Sequence, residues 1–490
     1  MSVAVGLFGP DIDRQTWGAA AEIKSKTPQP RKLRMSMRFR VFIRFVRLGW
    51  VRSQWETIPP RIPEQICLAP VIMTAPVVLI IGCGIAGPVL GILYKCKGYH
   101  PIVFEKVQTL GDAGASLMLM PNGMKVLDLI GLADEVAKES LPLRGFWDGV
   151  ASGGTLGHSG LPAAFTDKYG QPAAGIKRTS ISLMLKKRLL DMDVELHEGW
   201  KLESIKENED SVTAIFDGER MVTGAFLIGC DGIRAASRRV ILEMQGIHTG
   251  MPTFTGLVQV AGISRTPESL DDFRRGSLCN WYGDGKHIIA YPVSATHTSW
   301  AATLPQTLEH EETWRQSDPA EIETQRETLA RQLTGFEPVV LNLIKTATRI
   351  IKFGLYDRPE LRPEQWHSKR CVLVGDAAHP TSPHLGQGAN QALEDCYHLM
   401  KYMPCINSGS ADYAQKSSQM NSDLPGFFQA YAESRQPRTS ALVKEARAIG
   451  ERRVVVTAAL CKERDALIAA AWSNQDAIST RYDTLLKEPF

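Results

Sequence analysis

Residues 77–88 read VVLIIGCGIAGP, and this stretch decides how the chain is expected to fold. Its apolar first half is typical of a buried strand, and a helix-like run follows from Pro88 to Lys97. In the turn, Gly82 bends the chain, Gly84 leaves room for phosphate oxygens, and Gly87 lets helix and strand pack closely. Strand, glycine turn and helix in this order predict a dinucleotide-binding unit with a pyrophosphate at the helix N-terminus.

The next strand supports this interpretation. The run from Pro101 to Phe104 is strand-like, and Glu105 stands at its end. In a dinucleotide-binding unit, an acid at this position hydrogen-bonds the adenosine ribose. An ordinary tight turn would explain the glycines alone, but it does not explain the strand and the acid that follow them.

A second glycine-rich segment, VGDAAHPTSPHLGQGAN, occupies residues 374–390, far downstream of the first. It follows a buried strand-like run, Cys371 to Val374, and leads into a helix-like run. Asp376 is placed to hold a polyol hydroxyl, and Gly386 and Gly388 bring backbone close to a pyrophosphate or a flavin ring edge. The two segments look like opposite ends of one long ligand, and a nicotinamide dinucleotide alone would not need the second.

In these motifs the chain resembles the class A flavoprotein aromatic hydroxylases, the family of p-hydroxybenzoate and salicylate hydroxylases, from about Val77 to Arg447. Further motifs carry the resemblance in order: Gly114-Ala115-Ser116 to Pro121-Asn122-Gly123, Lys177-Arg178, Leu227-Ile228-Gly229-Cys230-Asp231-Gly232, Tyr356-Asp357-Arg358-Pro359, and Tyr431 to Arg438. Several ordered motifs are far more specific than any one of them.

The resemblance implies an α/β fold, with a Rossmann-like FAD-binding domain interleaved with an antiparallel-sheet substrate domain and C-terminal helices. Alternating runs between Thr253 and Leu304 independently predict antiparallel strands. The polar stretch from Asn407 to Asp423 is expected to be an exposed loop. The expected divisions are a basic N-terminal extension at 1–72, FAD-binding domain parts at 73–250 and 353–430, a substrate-binding sheet with helices at 251–352, and C-terminal helices at 431–490.

The resemblance also implies site residues, each by its position in the family's motifs. Arg178 would contact the flavin nucleotide, Asp376 the ribityl chain, and Pro383 would flank the reacting face of the flavin. The Asp231-Gly232 pair would serve both flavin and nicotinamide cofactor. The full cofactor-binding set is Gly82, Gly84, Gly87, Glu105, Ala115, Arg178, Asp231, Gly232, Asp376, Pro383, Gly388 and Ala389.

Two residues depart from the family pattern. Ala235 stands where relatives often have serine in the segment after Asp231-Gly232, which weakens the expectation of nicotinamide contacts. Ala261 stands where many relatives have arginine, which counts against a substrate that bears a carboxylate.

The implied reaction is a monooxygenation that consumes NAD(P)H and O2. NAD(P)H would reduce FAD, and O2 would then form a C4a-hydroperoxide that hydroxylates or epoxidises an electron-rich aromatic, enol or alkene small molecule. Secondary metabolism is the expected setting. Tyr291 and Arg265 fall on the predicted substrate sheet as candidate catalytic residues for orienting or deprotonating a phenol. Each also has a structural interpretation, as a packed ring and as a cation in a solvated turn.

Two alternatives remain open. A flavin-dependent halogenase or reductase could use the same scaffold, although the Trp-x-Trp-x-Ile-Pro element of many halogenases is absent from the sequence. A non-catalytic protein resembling GDP dissociation inhibitors would share only the first glycine motif. The intact second segment, 374–390, argues against it.

Composition agrees with an enzyme that acts on small molecules. The chain has 490 residues, 44% of them hydrophobic, and no apolar run of the roughly 18 residues that a membrane span needs. Nine cysteines without a Cys-x-x-Cys pair predict a reducing, cytoplasmic location and neither disulfides nor a metal site. The oligomeric state stays open.

Charge is concentrated at the N-terminus. Residues 1–72 contain 12 Lys or Arg against 5 Asp or Glu, so the remainder of the chain is net negative and nucleic acid is not an expected partner. Three interpretations of this basic segment are open: an extension absent from the working enzyme, an organelle-targeting peptide, and a membrane-surface helix. The first is favoured, because Met73 lies just before the first strand.

Overall fold

The computed structural model describes residues 75–109, 114–307, 318–406 and 413–490. The predictions made for residues 1–72 therefore lie outside the described residues. Across the described ranges, every helix is too short or too polar to cross a membrane. The same ranges contain no cluster of three or more His, Cys, Asp or Glu residues that could hold a metal ion.

The strands of the described chain form four sheets. They are β1 Val77–Ile81, β2 His100–Glu105, β3 Ser116–Leu119, β4 Leu141–Pro142, β5 Gly145–Val150, β6 Thr155–Ser159, β7 Ala174–Lys177, β8 Glu195–Glu198, β9 Leu202–Glu207, β10 Val212–Phe216, β11 Met221–Gly224, β12 Phe226–Gly229, β13 Thr253–Arg265, β14 Ser277–Tyr282, β15 His287–Pro292, β16 His297–Pro305, β17 Ala347–Asp357 and β18 Cys371–Leu373.

The α-helices are α1 Ala86–Cys96, α2 Pro121–Leu129, α3 Ala133–Glu139, α4 Phe165–Tyr169, α5 Arg178–Asp191, α6 Ala236–Met244, α7 Asp272–Arg275, α8 Pro319–Gln332, α9 Pro338–Lys345, α10 Gly388–Tyr402, α11 Tyr413–Arg453, α12 Ala458–Ser473 and α13 Gln475–Leu486. Short 3-10 turns occur at Leu161–Ala164, Asp217–Glu219, Pro363–Gln365, Gly375–Ala377 and Pro383–Leu385.

The first sheet contains five parallel strands in the order β18-β12-β1-β2-β8. Its central strand β1 is the apolar run of the first glycine motif, and Leu79 in that strand is fully buried. In β1, β12 and β18, Ile81, Gly229 and Leu373 lie in register. The chain segments that follow these three strands therefore leave the sheet along one edge, which is where ligands bind in open parallel sheets.

The second large sheet has seven strands in the order β17-β13-β16-β15-β14-β5-β6. Its pairs are antiparallel except for β14 and β5, which run parallel. Helices α8 and α9 cover one face, where Leu333 and Val340 join Trp281 in a buried cluster. The predicted sheet thus exists, and it also includes β5 and β6 from the stretch 73–250. Strand β17 runs across the proposed boundary at 352, and the domain divisions stay proposals.

The expected loop at Asn407 to Asp423 is wrong for its described part. From Tyr413 the chain is helical, because α11 runs to Arg453 and includes two prolines, Pro425 and Pro437. Apolar side chains three or four residues apart are fully buried along its first half, at Met420, Leu424, Phe428 and Tyr431. Packing of this apolar stripe offsets the low helix propensity of the polar residues and the prolines.

The last two helices pack on the seven-stranded sheet. A Cβ atom at Gly157 in β6 would lie 2.2 Å from Cγ of Trp472, so only glycine allows α12 to approach this closely. In α13, the ring of Tyr482 stacks on Phe146 of β5, with centroids 5.1 Å apart and planes 7° apart. These contacts position α12 and α13 over the same sheet that was expected to line a substrate pocket.

Candidate active site

One cavity of about 680 Å³ brings the two glycine segments together. Its lining includes Gly84 and Ala86 from the first segment and Asp376, Gly388 and Ala389 from the second. Both segments follow strands of the parallel sheet at the edge where Ile81 and Leu373 end. Strand order therefore explains why residues so far apart in the sequence meet at one site.

The three glycines of the first turn have different surroundings. Gly82 adopts φ +103°, and a Cβ there would lie 2.5 Å from the carbonyl oxygen of Cys230. A Cβ at Gly87 would lie 1.9 Å from the carbonyl oxygen of Gly82. Gly84 differs, because a Cβ there would meet no protein atom within 4 Å. Gly82 and Gly87 thus form the turn, whereas Gly84 faces open space in the cavity.

Glu105, at the end of β2, forms a hydrogen bond with the backbone of the same turn. Its carboxylate accepts the backbone N–H of Cys83 at 2.8 Å and that of Val107 at 3.0 Å. The residue is buried. These bonds fix the position of the carboxylate relative to the turn, and its predicted bond to a ribose remains a proposal.

Two helix N-termini point into the cavity. Ile85 and Gln387 are the N-cap residues of α1 and α10, and neither caps its helix through its side chain. No acidic residue occupies the first turn of either helix. The free N–H groups and the positive ends of both helix dipoles are therefore available to anionic groups of a ligand.

Arg178 and Asp376 provide charged groups at this site. Arg178 is the first residue of α5, and it lines the cavity. Its guanidinium makes no hydrogen bond or ion pair with residues of the four described ranges. The carboxylate of Asp376 likewise has no hydrogen-bond partner there, and it is open to the cavity. Burial raises the pKa of Asp376, against the opposing electrostatic effects of His379 and Arg178. Both side chains are free for a ligand.

The remaining predicted cofactor residues are distributed around the cavity. Ala115, Gly232, Pro383, Gly388 and Ala389 all contribute to its lining. Gly232 adopts φ +79°, and a Cβ there would meet no atom within 4 Å.

Asp231 has a different position from its neighbour. Its carboxylate accepts the N–H of Ser237 at 3.0 Å and also the hydroxyl of Ser237, at the start of α6. Asp231 therefore stabilises the first turn of α6, and it does not line the cavity. Ser237 supplies a hydroxyl close to the position where Ala235 departs from the family pattern.

These observations test whether the residues present fit FAD. Two uncapped helix N-termini, an unpaired cation, an unpaired carboxylate and a glycine with open space above it all border one cavity. They match the phosphates and the ribityl hydroxyls of a flavin dinucleotide in charge and hydrogen-bonding capacity. The residues fit the cofactor.

The two candidate catalytic residues have different positions. Tyr291 lines the cavity, where its hydroxyl lies 2.7 Å from Oγ of Ser116, which in turn donates to Oγ of Ser299 at 2.6 Å. Burial raises the pKa of Tyr291 to about 12, so the phenol stays protonated at neutral pH. The prediction for Arg265 is not supported, because this residue is exposed at the end of β13 and does not line the cavity.

A buried polar cluster, which we call the Arg453 cluster, lies at the other end of the cavity. It consists of Asp148, Asn280, Tyr282, His287, His384, Arg453 and Trp472. Tyr282 and His287 lie on the predicted substrate sheet, whereas no sequence motif indicated Asp148, Arg453 or Trp472. The carboxylate of Asp148 accepts Nδ2 of Asn280 at 2.7 Å and Nε1 of Trp472 at 2.9 Å. Its members come from β5, β14, β15, α11, α12 and a 3-10 turn, and no local motif joins these elements.

Helices α12 and α13 form the wall near this cluster. The side chains that they contribute are mostly apolar: Leu467, Ile468, Ala471, Trp472, Ile478 and Leu485. Ala261 and Ile351 add apolar surface from the seven-stranded sheet, where they pack with Ala115. The cavity therefore combines a polar region with a largely apolar region, which is typical of small-molecule sites.

Comparison with known proteins agrees with this geometry. The model of the FAD binding domain family matches residues 75–424. The 3-amino-4-hydroxybenzoate 2-monooxygenase of Streptomyces cremeus is 28% identical over 392 residues, which cover 79% of this chain and 90% of the relative. The 3-hydroxybenzoate 6-hydroxylase of Klebsiella oxytoca is 27% identical over 378 residues, 76% of this chain and 87% of the relative.

Solved structures share the fold. HpxO of Klebsiella pneumoniae, complexed with FAD and uric acid, aligns with a TM-score of 0.69 at 23% identity, covering 84% of this chain and 97% of that protein. A salicylate hydroxylase substrate complex aligns with a TM-score of 0.65 at 21% identity, covering 85% and 96%. The chain therefore belongs to the FAD binding domain family and is an FAD-dependent enzyme of the class A aromatic monooxygenase group.

Proposed function

We propose that the enzyme uses NAD(P)H and O2 to insert one oxygen atom into an electron-rich aromatic, enol or alkene small molecule, by hydroxylation or epoxidation. The single observation that carries the proposal is the continuity of the cavity, since the residues that fit FAD and the largely apolar region border the same space of about 680 Å³. A substrate in that region would lie beside the cofactor. FAD, when bound, supplies the redox chemistry and the activation of O2.

The proposed roles of the chain's own residues at the cofactor are binding and orientation. The N–H groups at the starts of α1 and α10 would hold the pyrophosphate and the flavin ring edge, with Arg178 beside the nucleotide and Asp376 on the ribityl hydroxyls. Glu105 would accept a ribose hydroxyl with the lone pairs that its two backbone bonds leave free. Pro383 would flank the reacting face of the flavin, and Gly232 would approach the ring.

At the substrate end, the proposed roles are proton placement and exclusion of water. Tyr291 remains a phenol at neutral pH, so it would not remove a proton as a strong base. Ser116 donates to Ser299, and Ser299 donates to the carbonyl of Gly262. The hydroxyl of Tyr291 therefore donates to Ser116, and its oxygen would accept a hydrogen bond from a substrate hydroxyl. Helices α12 and α13 would shield the reaction from bulk water.

The proposal also covers the cellular location, the metabolic role and details of the reaction. The described cysteines are all free thiols, which supports the predicted cytoplasmic location. A role in secondary metabolism, the choice between NADPH and NADH, and the oxygen-transferring flavin adduct expected from the resemblance also belong to the proposal.

The test is a comparison of NADPH and NADH oxidation with and without candidate substrates. FAD-loaded enzyme is mixed with each nicotinamide cofactor and a panel of phenols, hydroxybenzoates and enols, while cofactor absorbance and O2 are recorded. The proposal expects at least one compound to accelerate oxidation severalfold with matching O2 consumption and a product heavier by one oxygen atom. Acceleration without an oxygenated product would instead indicate a reductase.

A further inference from the structure

Arg453 is a buried cation that faces the cavity. It is the last residue of α11, is 8% exposed, and contributes to the cavity lining. Its Nη1 lies 3.3 Å from Nδ1 of His384, and its Nη2 donates to Oδ1 of Asn280 at 3.4 Å. Its Nε has no hydrogen-bond partner in the described ranges. The contacts to His384 and Asn280 are long for a guanidinium, and Arg453 also interacts with the hydroxyl of Tyr282.

The side chains that Arg453 contacts carry no negative charge. Burial, together with the charge of Arg453 itself, lowers the pKa of His384 to about 3, and burial holds the pKa of His287 well below its ordinary value. Both rings are therefore neutral at physiological pH, as is the amide of Asn280. Among the described residues, no carboxylate lies within ion-pair distance of Arg453.

Asp148 is the acidic member of the cluster, and its hydrogen bonds go elsewhere. Its carboxylate accepts from Asn280 and Trp472 at 2.7 and 2.9 Å, and from the hydroxyl of Tyr282 at 3.5 Å. Burial raises the pKa of this carboxyl, which opposes its ionisation. Asp148 thus fixes the side chains around Arg453 and attracts its charge electrostatically, but it forms no ion pair with the guanidinium.

The packing around Arg453 holds the guanidinium in place. A Cβ at Gly450, one turn earlier in α11, would lie 2.3 Å from Cδ2 of His384, so the helix lies directly against this ring. The cavity wall beyond includes apolar Leu467 and Ile468, together with Glu445, Arg452 and Arg481. A buried cation without an ion-pair partner is unfavourable unless a ligand supplies the negative charge.

We propose that Arg453 is a specificity-determining residue that binds an anionic oxygen of the substrate, a carboxylate or an ionised phenol or enol. Ala261 leaves the sheet side of the cavity without a cation, and Arg453 supplies one from the end of α11. The substrate would then have an acidic end at Arg453 and an apolar body against α12 and α13. This inference rests on the proposed function, since it assumes that the largely apolar region holds the substrate.

The experiment measures binding by the change in absorbance of enzyme-bound FAD during titration, without turnover. Two pairs of probes separate the sources of negative charge: 3-hydroxybenzoate against 3-hydroxybenzamide, and ionised 4-nitrophenol against 4-nitroanisole. We expect at least one acid to bind wild-type enzyme roughly tenfold to a hundredfold more tightly than its neutral twin, the range for a hydrogen bond to a charged group. The pair that shows the preference identifies the kind of anion. If no acid binds more tightly than its twin, the proposal is wrong.

Variants then assign the preference to Arg453. Arg453→Gln should bind the acid and its twin alike, Arg453→Lys should show an intermediate preference because it keeps the charge and loses the planar fork, and the exposed control Arg331→Gln should match wild type. Full preference in Arg453→Gln would overturn the proposal. If that variant does not retain FAD, Arg453→Met takes its place, and full preference in Arg453→Met would overturn the proposal instead.

The outcomes separate this inference from the proposed function. Acid preference that depends on Arg453, in an enzyme that inserts no oxygen, would leave the binding inference standing and remove the monooxygenase reaction. Oxygen insertion without acid preference would support the monooxygenase reaction and remove the binding inference.

Discussion

Arg435 in α11 donates from Nε to Oδ1 of Asp395 in α10 at 2.7 Å, and both side chains are almost fully buried. The other oxygen of Asp395 accepts the backbone N–H of Gly375 at 2.9 Å and lies 2.6 Å from Nε2 of His379. Arg435 thus acts through Asp395 on the loop that carries Asp376. Helix α11 therefore fixes the second glycine segment, and His379 contributes a hydrogen bond to the same carboxylate.

Replacing Arg435 with methionine should destabilise the protein strongly. Arg435 also donates to Glu394 at 2.7 Å, so its loss leaves two buried carboxylates without their main cation. Breaking a buried ion pair from one side costs about 3–5 kcal/mol. Urea unfolding of the FAD-loaded protein measures the change. Arg331→Met, at an exposed position, should stay within about 0.5 kcal/mol of wild type. Equal stability of the two variants would contradict the role given to Arg435.

The three glycines of the first turn should respond differently to alanine. Gly87→Ala places a methyl group 1.9 Å from a carbonyl oxygen, so the turn must deform and the apo-protein should lose stability. Gly84→Ala meets no protein atom, so the apo-protein should unfold like wild type while FAD binding weakens. Apo-protein denaturation and FAD titration separate the two effects. Unchanged FAD affinity in Gly84→Ala would mean that no ligand approaches this glycine.

Replacing Asp376 with alanine should weaken FAD binding with little effect on the apo-fold. Its carboxylate has no partner among the described residues, so the loss is felt only when a ligand hydroxyl is present. The dissociation constant should rise roughly tenfold to a hundredfold, the range for a hydrogen bond to a charged group. Flavin fluorescence during titration measures it, with Asp210→Ala, whose side chain is 91% exposed, as the control. Equal affinities in both variants would place the flavin elsewhere.

His384 should make stability depend on pH. Burial and Arg453 lower its pKa in the folded protein from 6.5 to about 3. Between these two pH values, His384 is therefore protonated in the unfolded chain and neutral in the folded protein. The resulting stability is fully present above about pH 6.5 and is lost as pH falls toward 3. His384→Gln should flatten the unfolding free energy across this interval relative to wild type, and the exposed control His248→Gln should not. Parallel profiles for His384→Gln and wild type would contradict the buried, neutral state of this ring.

Local motifs predicted the strands, turns and helices that border the cofactor half of the cavity. The strand, turn and helix around Gly82 are determined by residues that are neighbours in the sequence. The second segment repeats this local pattern around Asp376. The side-chain roles at these positions are still predictions. Only the geometry of the turn, with Gly82 at φ +103° and Gly87 against its carbonyl, follows directly from the structure.

The substrate half was much harder to predict, because it is made by tertiary contacts. Trp472 contacts Asp148, and Arg453 contacts Asn280, only because α12 and α11 pack across the sheet, and no sequence spacing encodes these contacts. Arg265 shows the limit of assigning a site from strand position alone. It lies on a strand of the predicted sheet, but at the exposed end of that strand. The start of α11 had a detectable signal in the spacing from Met420 to Tyr431, which the polar composition and Pro425 obscured.

The most direct test of the central claim is the fate of isotopically labelled oxygen. FAD-loaded enzyme is supplied with NADPH or NADH, the compound that most accelerates its oxidation, and ¹⁸O₂ in unlabelled water, and the product is analysed by mass spectrometry. A monooxygenase of this kind should place one ¹⁸O atom in the product and none when the label is supplied in water. Label that enters from water, or flavin that is reoxidised only by an organic acceptor while O2 has no effect, would contradict the claim and indicate a dehydrogenase or reductase on the same fold.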